Sequence, residues 1–185
     1  MTGTYRVTVT DANGCSASAQ TVMNVYDGYI WNGSQSTSWS DPANWTHNPA
    51  GTVPDLCSRN AVIPFGTANI PNVDVPGLNI GKLTLEYGAT LNLSNDLSLC
   101  DNLVGSTTIA SLVNGPGRLI LNGTSATVTQ KITGKTKIET LRIDNSGIGA
   151  EISSGNVQIN TALELKQGNL KVSNVTYLTF LSNSP

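Results

Sequence analysis

The residues that could carry chemistry are few and scattered. His47 is the only histidine, sits in a Thr-His-Asn-Pro turn and has no serine or cysteine motif around it. A nucleophile activated by an adjacent base therefore has no obvious basis. Carboxylates such as Asp144 and Glu164 could serve a polysaccharide lyase or hydrolase, which would use clustered carboxylates or Lys/Arg on an outer face. Asp101 and Glu151 have no position assigned by pattern alone. Asp11 and Asn13 offer oxygens of the kind Ca²⁺ takes, but two on one turn are too few, and a turn role explains them better. Trp31, Trp39 and Trp45, with Asp41 and Asn44, could form a sugar-binding platform or the cap of a larger apolar structure. Cys15, Cys57 and Cys100 are an odd set. Pairing Cys57 with Cys100 is one reading, and three reduced cysteines acting as small apolar side chains is the other. No residue pattern implies a catalytic site, metal or cofactor.

The elements that must position these residues are strands. Period-two alternation recurs at Leu83-Leu85, Leu91-Leu93, Val157-Ile159 and Leu170-Val172, and no segment carries a helical apolar stripe. Three segments follow. Residues 1–26 hold two alternating runs joined by Asp11-Ala12-Asn13-Gly14, a hairpin signal. Residues 27–69 hold all the tryptophans and four of the prolines and read as a Trp-rich cap. Residues 70–185 repeat short apolar doublets broken by Gly, Asn and Ser.

Those doublets have a period. Leu97/Leu99, Leu119/Leu121, Leu141/Ile143 and Leu163/Leu165 recur every 22 residues. Val128, Ala150 and Val172 give a second phase, and Ile138, Ile159 and Leu181 a third. One step before Leu97/Leu99 the pattern meets Val75 and Gly77 and weakens. A repeat of this length suits three short strands and three turns, one coil of a parallel β-helix. The expected fold is all-β: a right-handed parallel β-helix of about 22 residues per coil with an aromatic-rich N-terminal cap. A single coil cannot bury its own inner face, so neighbouring coils must cover it. If the doublets face inward, Ser98, Ile120, Arg142 and Glu164 form one outward row, and Cys100, Asn122, Asp144 and Lys166 the next. Arg142 then faces Glu164 and Asp144 faces Lys166, opposite charges on adjacent strands. The cap reading of the tryptophans follows from the same logic, because a bare solenoid end exposes core and unpaired edges. A flat threonine face of the ice-binding kind is weak: its best row, Thr107, Thr129, Glu151 and Ser173, is broken by a charge.

Composition narrows the function classes. Only 12% of residues are charged and the net charge is −2, so no basic stripe exists to neutralise phosphates and nucleic acid is not an expected partner. No apolar run reaches the length of a membrane helix. The Asn-x-Ser/Thr triplets at Asn32, Asn44, Asn92, Asn122 and Asn174 are what an Asn/Ser/Thr-rich chain produces by composition. No export signal opens the sequence, and Leu178-Thr179-Phe180-Leu181 reads as a strand stopped in mid-pattern. Both ends are therefore expected to be cuts in a longer chain.

Two stretches resemble known proteins. Gly3-Thr4-Tyr5-x-Val7-Thr8-Val9-Thr10-Asp11-x-Asn13-Gly14-Cys15 resembles the last strands of tandem immunoglobulin-like repeats in large Bacteroidetes surface proteins, gliding-motility adhesins among them. The resemblance implies that residues 1–26 close a β-sandwich begun upstream, with the partner of Cys15 also upstream. Trp31-x-Gly33-x-x-Ser36-Thr37-x-Trp39-Ser40-Asp41-x-x-Asn44-Trp45, followed by Val53-Pro54 and Val62-Ile63-Pro64, is similar to a segment that opens β-solenoid regions of Bacteroidetes secreted proteins. Ile80-Gly81-Lys82-Leu83-Thr84-Leu85 and Gly88-Ala89-Thr90-Leu91 fit its later phrases. This resemblance implies export by the type IX route and display on the cell surface. The expected role is that of a structural and adhesive spacer, not an enzyme. Its expected partners are the flanking parts of the same chain, other copies of itself or cell-surface glycans. Alternatives are a carbohydrate-binding or polysaccharide-degrading β-helix, and a subunit of an oligomeric surface appendage.

Overall fold

A computed structural model describes residues 2–24, 28–46, 51–174 and 177–181. The described residues are all-β with essentially no helix, a short 3₁₀ turn at Pro42–Asn44 being the exception that bears on the tryptophans. Strands β1 (Thr2–Thr10) and β2 (Ser16–Asn24) pair antiparallel, Thr10 opposite Ser16, around the Asp11–Cys15 turn. Gly14 has φ of 85°, which the tight turn demands and a side chain would resist.

The rest is a parallel solenoid. β3 (Tyr29–Trp31), β4 (Trp45–Thr46), β5 (Ala61–Ile63) and β6 (Asn72–Val73) lead into it. Coil 1 comprises β7 (Leu78–Ile80), β8 (Leu83–Leu85) and β9 (Thr90–Leu93), and coil 2 comprises β10 (Leu97–Leu99), β11 (Leu103–Val104) and β12 (Ser111–Asn114). Coil 3 takes β13 (Leu119–Leu121), β14 (Gln130–Thr133) and the first part of β15 (Lys135–Asp144). Coil 4 takes the rest of β15, β16 (Ala150–Ile152) and the start of β17 (Asn156–Gln167). Coil 5 ends on β18 (Leu170–Val172) and β19 (Leu178–Phe180). Each strand of the coils pairs in parallel with its counterpart one coil away, whereas β4 closes the sheet antiparallel to β3.

The doublets stack as their spacing predicts: Leu97 on Leu119, Leu119 on Leu141, Leu141 on Leu163. Alternation turns these side chains inward, and Leu97, Leu99, Leu119, Leu121, Leu141 and Ile143 are wholly buried. Leu163 is half-buried and Leu165 is 61% exposed, because among the described residues no strand pairs with the far edge of this part of β17.

Three finer expectations need correction. The doublet before Leu97/Leu99 is Leu78/Ile80, a step of 19 rather than 22, so Val75 and Gly77 are not its members. In the second phase Gln130 and Ile132, not Val128, lie beneath Ala150 and Ile152, and Leu170 lies above Ala150. Val128 belongs to the loop 122–129, longer than its counterpart 145–149, and is 65% exposed. In the third phase Ile159 meets Phe180 and not Leu181. Turn length varies from corner to corner, so a fixed period holds on one face and drifts on the others. Parallel pairing also starts before residue 70: β3 pairs with β5, and β5 with β8.

Candidate functional site

The tryptophan segment is built inward. Trp31 and Trp45 lie opposite each other on β3 and β4, at the end of the stacked sheet. Their rings meet edge to face at 5.0 Å between centroids, and Trp39 meets Trp45 at 4.6 Å. All three are at most 4% exposed. A buried indole N–H must find an acceptor, and each does: Trp31 donates to the Asn69 carbonyl, Trp39 to Pro54 and Trp45 to Trp39. Asn44 is buried; its Oδ1 accepts from the Gln35 and Ser36 amides and its Nδ2 donates to Ser36 Oγ and the Ser38 carbonyl. Asp41 caps the 3₁₀ turn by accepting from the Ala43 amide at 3.0 Å and also accepts from Ser36 Oγ. The burial of the three rings and of Asn44 places them in the core, as a cap would have them, while Asp41 remains half-buried. The three rings are enclosed, and Asn44 and Asp41 are engaged by the segment's own backbone and by Ser36.

The outward rows carry ion pairs between coils. Arg142 Nε donates to Glu164 at 2.6 Å, as the register required. Lys166 donates to Asp144 at 2.9 Å although a register shift sets Asp144 opposite Gln167 and not Lys166. A further pair lies one corner away: Arg118 Nε reaches both oxygens of Asp96, at 3.1 and 3.0 Å. Arg118 also approaches Glu164 at 3.8 Å. The Arg118 hydrogen bonds hold the Asp96 carboxyl below the usual carboxylate range, against the opposing push of burial, and Asp96 in turn raises Arg118. The 22-residue offset of Asp96 and Arg118 was visible in the sequence but not drawn.

Glu151 is placed by the structure between Lys131 and Lys171 on neighbouring coils. Its carboxyl is lowered first by the Ser173 hydroxyl and then by the lysines. The row Thr107, Thr129, Glu151, Ser173 is therefore not a column; from β14 to β16 and from β16 to β18 the step is 20 residues. Asp101 is exposed and accepts from the Asn102 amide. Asp11 accepts from the amides of Asn13 and Cys15, both at 2.9 Å, which assigns its oxygen to the turn. His47 lies outside the described residues. Among the described residues no three His, Cys, Asp or Glu side chains gather as a metal would need, and no helix is long and apolar enough to cross a membrane.

Cys57 and Cys100 form a disulfide, Cα to Cα 5.4 Å, fastening the loop after the tryptophans to coil 2. Cys15 is exposed and unpaired among the described residues.

Two features were missed by sequence reading. Gln130 and Asn145 form a buried amide pair at 3.0 Å that also binds the Gly123 and Gly149 amides and the Leu99 carbonyl. At another corner Phe65, Tyr87 and Ile109 lie 22 residues apart and are 63, 50 and 51% exposed. Comparison with known proteins gives no relative: no family model, curated protein or solved structure matches this chain.

Proposed function

We propose that this chain is a structural and adhesive segment of a secreted bacterial surface protein, a stiff solenoid spacer rather than an enzyme. One observation carries the reading. The coil-face carboxylates are engaged with a neighbouring coil: Asp96 with Arg118, Glu139 with Asn160 and Thr161, Asp144 with Lys166, Glu151 with Lys171, Glu164 with Arg142. A carboxylate held by a cation or donors is a poor proton shuttle, and catalysis by general acid and base needs one tuned toward the working pH. The same contacts tie coils 2 to 5 to one another, which is what a rod under lateral load requires.

The solenoid is taken as right-handed, since parallel crossovers within one sheet are so in nearly all folds. The β1–β2 hairpin is taken as the closing strands of an immunoglobulin-like unit. Type IX export and cell-surface display follow from the same resemblance. The test is antibody labelling of intact producing cells beside lysed ones. Labelling of intact cells is expected; labelling only after lysis would overturn the assignment.

A further inference from the structure

The buried tryptophans present no ring to a ligand, but the corner that follows β5, β8 and β11 does. Phe65 and Tyr87 meet edge to face at 5.7 Å between centroids while both remain at least half exposed. The Phe65 ring rests on Gly88, where even a Cβ would approach its Cδ2 to 3.3 Å, so glycine lets the ring lie flat against the corner. Beside them is a recess of about 190 Å³ bounded by Pro64, Phe65, Ile70, Gly88 and Thr90. No charged residue lines it.

The recess opens onto the face that starts at Thr90. Asn92 follows two residues along the same strand, roughly 7 Å on, and Asn114 lies beside it on coil 2. Both point outward with Thr90, because Leu91 and Val113 point in. Among the described residues neither side-chain amide makes a hydrogen bond, and neither does the Tyr87 hydroxyl, whereas the amides of Asn44, Gln130 and Asn145 are all committed.

We infer that this corner and the adjoining face bind a neutral glycan, an assignment that rests on the adhesive reading and names its contact surface. A pyranose presents an apolar C–H face that packs on an aromatic ring, and hydroxyls at its rim that need donors and acceptors together. A primary amide supplies both. The recess itself is lined by no cation, so a uronate or phosphate seated there would lose its hydration with nothing to offset it; Lys137 lies on the adjoining face beyond Leu112. The recess is smaller than the ~300–1,000 Å³ of drug-sized sites, which suits one sugar ring with the chain running on over Asn92 and Asn114. A second copy of the chain would need ~800 Å² per partner, and the exposed apolar ridge gives way to these amides.

The test is affinity electrophoresis of the intact chain in laminarin, mannan or xyloglucan, with polygalacturonate as the acidic control. At least one neutral polysaccharide should retard it and polygalacturonate should not. Tyr87→Ala and Asn92→Ala/Asn114→Ala should each weaken that retardation about tenfold, roughly 1.4 kcal/mol, with the unfolding midpoint unchanged. The inference is overturned if no neutral polysaccharide retards the chain, or if a Phe65→Ala/Tyr87→Ala variant is retarded equally. It is also overturned if sedimentation shows Tyr87-dependent self-association, which would make the ridge an interface between copies. Surface labelling is independent of this result: labelled cells with an unretarded chain would remove the glycan site and leave the surface assignment standing.

Discussion

Leu121 and Leu165 are the same residue type in the same inward row, two coils apart, and they should respond very differently to truncation. Leu121 is wholly buried, with Leu99 below and Ile143 above. Leu121→Ala removes buried methyls and leaves a cavity closed on both sides, so a loss of about 3 kcal/mol, within the usual ~2–5, is expected. Leu165 keeps 61% of its surface exposed, so about two-fifths is buried. Two-fifths of the ~1.5–3 kcal/mol for full burial is about 1 kcal/mol at most, and no closed cavity forms. Urea unfolding followed by the β signal in circular dichroism, compared at equal m-value, should separate the two by about 2 kcal/mol. Losses within about 0.5 kcal/mol of each other would refute the nearest-neighbour view of this core.

Acrylamide should barely quench the native tryptophan emission, because all three indoles are enclosed, and Trp39→Ala should cost about 3–5 kcal/mol. Ready quenching with native β signal would contradict the cap. The Cys57–Cys100 bond spans a sequence separation of 43, and loop-closure entropy for that length is about 4 kcal/mol. Cys57→Ser/Cys100→Ser should therefore lower urea stability by up to that amount, and an unchanged midpoint would refute the staple. Asp96 has its folded pKa lowered by Arg118, so its contribution is present above the unfolded value near ~3.9 and lost as pH falls through the lower folded value. Asp96→Asn should accordingly flatten the acid side of the stability profile below about pH 4, and an identical acid slope would show that the pair contributes nothing.

How much was legible follows from where period and geometry coincide. The row from Leu97 to Leu163 was readable because each step includes a full set of turns whose lengths compensate to 22 residues. Compensation fails at the loop 122–129, so Val128 was mistaken for a core residue and Gln130 was overlooked. A glutamine inside a coil is hard to foresee, since its burial depends on Asn145 and on the Gly123 amide from other turns. The Arg142–Glu164 pair was legible as charges in register, whereas Asp144 and Lys166 meet across a register shift that the repeat does not announce. The tryptophans were legible as a cluster, but whether they face in or out depends on acceptors at Pro54 and Asn69, far along the chain. The Phe65/Tyr87/Ile109 ridge obeys the same 22-residue step as the core, yet it lies in turns, where alternation carries no signal.

The stacking register is tested most directly by spin labels along one outward row. Asn79, Ser98, Ile120, Arg142 and Glu164 occupy successive coils in direct register. With Cys15→Ser to leave only the disulfide, cysteine pairs at 98/142, 79/142 and 79/164 span two, three and four steps. Backbone separations should rise linearly by about 4.8 Å per step, reaching roughly 10, 14 and 19 Å, with the label arms broadening each distribution. Separations that fail to grow with the number of intervening coils would contradict the solenoid itself.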